Sequence, residues 1–467
     1  MPRIYLDSNI YRYLKKDPEA RLLDLQKYIK ENDQIHVFFS SAHLFDLGRD
    51  KTDHKFDDLH FMEQFTGHNY IHLDRNDEFV LTTVATPSEA FNRIIPDPFL
   101  SPEFQETLDI LNGNIEDPEL KSIMQKTMNL PLDLSFLMSQ DPETKESLNN
   151  FFPDLKECST IGDFTAGMLK KFQGFHSDPK LWRKAIKSSQ DSLKLKQNYN
   201  IDLNTINFNQ ELKNTPLATT FVDFVKTIEG FQNPKGNQKE HNFHITAYNA
   251  LNILGLDSER KINFASSLDD AEHSFYAAHC DYFIVEDKQL RMKSKVLYNL
   301  LGIDTKVLSL KEFKEELPLL RFNSKKLTVK EFYDSLIFEL RNALILNTSS
   351  SFVYPRDYVK FKPATTFFQY FNRMDKVDDD KDGTFIVMYR EKNNYSRFTS
   401  YREFEYLTNL LVEVFGIDKN FRGEFSETDR TEIEKAKWQG RVWTHDNTAL
   451  ILEINEGTKK LSLLIFP

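Results

Sequence analysis

Strand and helix signals alternate over residues 1–50, stop, and resume near residue 240. "RIYLD" and "QIHVFFS" are short apolar runs, and "PEARLLDLQKYIKEN" and "AHLFDLGRD" follow them with helical patterning. Alternation of this kind predicts a parallel α/β sheet flanked by helices. After the gap, "HNFHITAYNALNILGL" and "SSLDDAEHSFYAAHC" read as helices, "DYFIVED" as a buried strand, "KQLRMKSKVLYNLLGI" as a helix and "DTKVLSL" as a strand. The expectation is one α/β unit built from residues 1–54 and 240–325. A mostly helical insertion at 55–239 splits it, with "EFVLTTV" as the exception. Residues 326–467 predict a separate α+β domain. It closes on a β-meander, "GRVWTHDN", "TALILEINEG", "KKLSLLIFP", with turns at Asp446-Asn447 and Asn455-Gly457.

A chain of 467 residues predicts more than one domain. The sequence has no apolar run near the roughly 18 residues of a membrane span, and its first residues lack a signal-peptide pattern. Its two cysteines, Cys158 and Cys280, have no zinc spacing, so the expected setting is a reducing cytoplasm. With a net charge of -11, any nucleic-acid site must be a local basic patch.

Four acids fall at strand ends or helix starts of the two α/β stretches. Asp7 ends the first strand, and Asp46 lies one helical turn past Ser41-Ala42. Asp270 is read at the start of a helix, where Ser266…Asp269 and Ser267…Asp270 both fit a capping box. Asp287 follows "YFIVE". Ligand sites of open parallel sheets lie beyond the carboxyl ends of the strands, so these acids can converge. A carboxylate cluster repels itself and suits a hard divalent cation such as Mg²⁺ or Mn²⁺. Singly, each acid has a plainer reading as a turn, cap or solvated residue. Asp281 reads as a residue that begins a strand, and Glu286 as pointing away from the site.

"IYLDSN", "FFSSAHLFDL" and "DDAEHSFYAAHCDYFIVEDKQL" together resemble the PIN domains, a family of metal-dependent nucleases. The resemblance covers roughly 50 residues at the N-terminus and roughly 75 around 240–315, on short motifs. It implies that Asp7, Asp46, Asp270 and Asp287 hold Mg²⁺ or Mn²⁺, with Asn9 and Ser41 orienting carboxylates or water. His273, one turn after Asp270, would touch the same site or its substrate. The sequence departs from the family in having Asp46 where Glu is usual, and in its large insertion. The implied activity is phosphodiester cleavage, of RNA in preference to DNA, leaving 5′-phosphate and 3′-hydroxyl ends. Its implied setting is a toxin or anti-phage effector, with residues 326–467 as a sensor or targeting module answering a regulatory protein or phage trigger. The alternatives are a catalytically silent PIN-like scaffold that binds RNA or protein, and a structure-specific DNA nuclease.

The basic stretch "KKFQGFHSDPKLWRKAIKSSQDSLKLK" interleaves Lys180, Arg183, Lys184 and Lys187 with Phe172, Phe175 and Trp182. Cations can pair with phosphates while aromatics stack on bases. The plainer reading is a solvated helix face with Trp182 and Ile186 in the core. "DDDKDG" begins like a calcium loop at Asp378, Asp380, Asp382 and Gly383. Its twelfth position is Tyr389, where the loop needs Glu, so it reads as an acidic turn. His241/His244 and His273/His279 lack a third ligand and read as ordinary histidines.

Overall fold

The computed structural model describes residues 1–467 except 17–19, 33, 74–79, 94–117, 132–157, 194, 200, 202–207, 216, 231–237, 255–263, 321–326, 351–356, 380–382, 436 and 456–459. It is a mixed α/β protein with two sheets. The first contains β1 (Arg3–Leu6), β2 (His36–Ser40), β3 (Asn69–Leu73), β4 (Val80–Val84), β5 (Tyr282–Ile284) and β6 (Lys306–Leu308), in the order β4-β3-β2-β1-β5-β6. Each pairing is parallel except β3 with β4.

The strands are apolar on both sides because both faces are covered. Ile4, Leu6, Val37, Phe39 and Ile284 pack under the helices Ser8–Lys16, Ala20–Glu31, Ser41–Gly48 and His54–Thr66. Tyr5, Phe38, Phe283 and Val307 pack on the other side against the helices Gln238–Ile253, Phe264–Ala277 and Lys288–Leu301.

Two features differ from the sequence expectation. The sheet is mixed, with an antiparallel edge strand, rather than parallel throughout. It also takes β3 and β4 from residues 69–84, inside the segment assigned to the insertion. Among the described residues, the rest of 55–239 is dominated by helices, including Pro118–Met128, Ile161–Ser177, Pro179–Leu193 and Phe221–Gly230. The expected boundary at 325/326 lies outside the described residues.

The second sheet is antiparallel. It contains β7 (Leu344–Ser350), β8 (Asp357–Lys362), β9 (Arg373–Asp379), β10 (Gly383–Tyr389), β11 (Arg441–His445), β12 (Thr448–Ile454) and β13 (Leu461–Phe466), in the order β11-β12-β13-β10-β9-β8-β7. The helices Val329–Asn342 and Tyr401–Phe415 bury Phe332, Leu336, Phe404, Leu407 and Leu411 against Met374, Met388, Trp443 and Leu450. The β11–β12 hairpin turns at Asp446, whose φ of 50° suits an aspartate. The second meander turn falls partly on residues 456–459, outside the described residues.

The two units meet at the N-terminal edges of β1 and β5. Arg3 donates from Nε and Nη2 to Glu403 at 2.8 and 2.6 Å, and from Nη2 to Phe398 O at 2.9 Å. Arg390 bridges the same Glu403 (2.7 Å) to Asp281 (2.6 Å), which also accepts from the Arg3 backbone N–H at 2.8 Å. Asp281 thus does more than begin a strand: it anchors the C-terminal unit. Among the described residues, no helix is long and apolar enough to cross a membrane.

Candidate functional site

The carboxyl ends of β2, β1 and β5 lie side by side at the opposite edge of the sheet from that interface. Asp7 is the first residue past β1; its N–H donates to Ile284 O at 2.9 Å, which fixes it beside the end of β5. It is buried, at 3% exposure. Asp287 caps the Lys288–Leu301 helix, with Oδ1 accepting from Gln289 N and Leu290 N at 2.8 and 2.9 Å. Asp46 lies in the Ser41–Gly48 helix, which Ser40 caps by accepting from Ala42 N at 3.3 Å.

Asp270 is placed differently from the sequence expectation. Its helix begins at Phe264, so Asp270 is in mid-helix and Ser266 and Ser267 are interior residues. Neither proposed capping box exists. Ser267 Oγ instead donates to Asn249 Oδ1 at 2.7 Å.

Asp46 is held by a histidine. His273, at 1% exposure, directs Nε2 to Asp46 Oδ2 at 3.0 Å and Nδ1 to Tyr5 Oη at 2.9 Å. Burial alone would depress the His273 pKa, but the hydrogen bond and charge of Asp46, with Asp7 and Asp269 adding to them, raise it to about 9. The ring is therefore an imidazolium that donates from both nitrogens. Tyr5 Oη in turn hydrogen-bonds Ser40 Oγ at 2.6 Å. Burial opposes ionisation of Asp46, yet the hydrogen bond and charge of His273, with a hydrogen bond from Ser8, hold its carboxyl well below the usual range. His43 stays neutral, depressed to about 3 by burial and the His273 charge; Nδ1 accepts from Ser40 N at 3.1 Å and Nε2 donates to Leu6 O at 2.7 Å. Ser8 Oγ approaches the same His273 nitrogen as Asp46, at 3.3 Å. A Ser–His–Asp relay needs the two partners on different nitrogens, so this trio is not one.

The remaining acids are not neutralised in this way. Burial pushes the Asp7 carboxyl up; His273 opposes this, while the charges of Asp46 and Asp287 reinforce it. Burial raises Asp270 well above its ordinary value, and the charges of Asp7 and Asp287 add to it. Asp7, Asp270 and Asp287 thus form a mutually repelling set at the end of the sheet. Asp269, next in the chain, pairs with Arg49 (Nη2–Oδ1 2.8 Å), and burial with the Asp46 charge pushes it up to about 7. Among the described residues, no three His, Cys, Asp or Glu side chains stand closely enough together to hold a metal ion as they are. The donor chemistry of Asp7, Asp270 and Asp287 nevertheless fits a hard cation, because oxygen donors with uncompensated charge are what such an ion binds.

Of the expected supporting residues, Asn9 is exposed; its backbone N–H donates to Asp7 Oδ2 at 3.4 Å, while its side chain accepts from Arg12 at 3.4 Å. Ser41 donates to Tyr276 Oη at 3.0 Å rather than to a carboxylate. Tyr5, Ser40, His43 and Arg49 complete the site, and none of them was read from the sequence as a site residue.

In the Pro179–Leu193 helix, Lys180, Arg183, Lys184 and Lys187 are exposed, while Trp182, Ala185 and Ile186 bury against Phe264. Phe264 begins the helix that carries Asp270, roughly 9 Å further along its axis. Of the other motifs, Asp378 and Gly383 flank a β9–β10 hairpin, and Asp380 and Asp382 lie outside the described residues. His241 meets Glu272 at 2.8 Å, His244 meets Ser274 Oγ at 3.0 Å, and His279 donates to Phe275 O at 3.1 Å. Both cysteines are buried, and neither forms a disulfide. No family model, characterised protein or solved structure matches the chain.

Proposed function

We propose that this chain is a PIN-like, metal-dependent endonuclease acting on RNA in preference to DNA. One observation carries the reading: Asp7 and Asp287 follow adjacent parallel strands, and burial together with the charge of Asp287 disfavours ionisation of Asp7 and of Asp270. In this reading they hold Mg²⁺ or Mn²⁺, while Asp46 serves as the counter-charge of His273. When bound, the cation supplies an activated water and neutralises charge on the phosphodiester. His273 offsets part of the negative field beside the carboxylates and fixes Asp46. Lys180, Arg183, Lys184 and Lys187 supply phosphate contacts in an otherwise acidic chain. The preference for RNA and the setting of a toxin or anti-phage effector rest on the motif resemblance alone.

The Asp46–His273 pair favours a second reading, a catalytically silent scaffold that binds RNA or protein, because it removes one of the four expected acids from the ligand set. The test is a calorimetric Mn²⁺ titration beside cleavage assays on single-stranded RNA and on flapped DNA, for the wild type and Asp7→Asn. Mn²⁺ binding and RNA cleavage that both vanish in the variant support the nuclease. Nucleic-acid binding without cleavage or Mn²⁺ uptake supports the scaffold, and cleavage of flapped DNA alone moves the assignment to a DNA nuclease.

A further inference from the structure

The C-terminal unit does not close completely on the N-terminal edge of the first sheet. A cavity of about 760 Å³ remains, walled by Tyr282, Asp304 and Lys306 on one side and by Tyr370, Arg390 and Lys392 on the other. A second cavity of about 660 Å³ shares Asp304, Thr366, Asn372 and Lys392 with it and adds Lys362 and Arg373. Each lies within the usual range for a small-molecule site, at a junction between units where such sites concentrate.

We propose that this cleft binds a small phosphorylated ligand of nucleotide size. Its walls carry five cationic side chains against three carboxylates, in a chain whose net charge is -11. Asp281 is paired with Arg390 at 2.6 Å, Glu391 with Arg373 at 2.6 Å and Lys306 with Glu316, so these pairs offset one another and the positive surplus rests on Lys362 and Lys392 against Asp304. A wall built against the chain's overall charge suits phosphate oxygens.

The loop on the Tyr370 side of the cleft is strained. Gln369 and its neighbour Phe368 hold φ of 55° and 52°, a left-handed conformation that non-glycine residues rarely adopt. Such strain persists where the surroundings impose it, and it gathers at ligand sites. The same loop is fastened by Thr365, whose N–H donates to both oxygens of buried Glu339 at 3.2 and 3.1 Å. A ligand with phosphates at one end and a flat ring at the other would meet the cations and the Tyr282 and Tyr370 side chains together. Inorganic polyphosphate has the first feature and a nucleotide has both.

The cleft is separate from the acidic site, which lies at the other edge of the sheet, so the proposal stands apart from the nuclease reading. The test uses the full chain in EDTA, which keeps phosphates off any metal, with ADP and pyrophosphate as probes in calorimetry and thermal unfolding. ADP should bind and raise the melting temperature, and pyrophosphate should bind at least tenfold more weakly. Lys306→Glu with Lys362→Glu should weaken ADP at least tenfold. Both lysines are exposed, so circular dichroism should show an unchanged fold, and each single variant should show part of the loss. Absence of heat and of thermal shift with both probes at millimolar concentration would overturn the proposal, as would ADP binding indifferent to both lysines. Equal affinity for the two probes would remove the nucleoside from the assignment.

Discussion

His273 Nε2 lies 3.0 Å from Asp46 Oδ2 across 227 residues of sequence, and the pair joins the two halves of the first unit beside its candidate site. Breaking it by Asp46→Asn leaves a buried imidazole without its counter-charge. The expected cost is about 3 kcal/mol in urea unfolding at pH 7. In the wild type the imidazolium should titrate near 9, and in the variant below its ordinary 6.5, as read by NMR. The raised pKa means that this stabilisation is complete below pH 6.5 and is lost as pH rises through 9. An unchanged titration in the variant would refute the pairing.

Asp7→Asn should have opposite effects on fold and function. Removing one of the mutually repelling carboxylates should stabilise the metal-free protein by about 1 kcal/mol. The same change should abolish RNA cleavage and the rise in melting temperature that Mn²⁺ gives the wild type. Cleavage by the variant at the wild-type rate in Mg²⁺ would sink the site assignment.

The exposed cations of the Pro179–Leu193 helix predict a salt effect. Replacing Arg183, Lys184 and Lys187 together by Ala should weaken RNA binding and flatten its salt dependence by about one unit of slope per lost contact. Cleavage of bound RNA should change less than affinity. Titrations at several salt concentrations decide it: equal slopes for wild type and variant mean that this helix carries no phosphate contacts.

Glu403 sets the acid limit of the interface between units. Burial opposes its ionisation, but Arg3 and Arg390 hold its carboxyl down to about 2. A depressed carboxylate contributes stability that is present above its ordinary 4.5 and lost as pH falls through 2. Glu403→Gln should cost about 3 kcal/mol at pH 7 and flatten the loss of stability between pH 4.5 and 2. Parallel pH profiles for the two proteins would contradict this.

The sequence revealed strand ends better than it revealed partners. Asp7 and Asp287 were legible because an acid directly after an apolar run marks the end of a buried strand. Asp270 was misplaced because Ser266 and Ser267 imitate caps, whereas the helix starts at Phe264, whose ring is needed in the core. The Asp46–His273 pair had no local trace, since each residue fits a solvated or core helix position by itself. β3 and β9 were missed because His72, Lys376 and Asp378 interrupt their apolar pattern; pairing with neighbouring strands decided those segments, not propensity.

The anchoring of Arg3 has a consequence for how the protein is made. Arg3 opens the central strand of the first sheet, but its buried partner Glu403 lies 400 residues later. At roughly 5–20 residues per second, a ribosome reaches that glutamate about 20–80 s after the strand emerges. Until then the guanidinium at the edge of β1 must stay hydrated, and the sheet cannot bury that edge. The N-terminal unit therefore cannot reach its final packing as an early, self-sufficient product of translation; it matures only when the last quarter of the chain arrives.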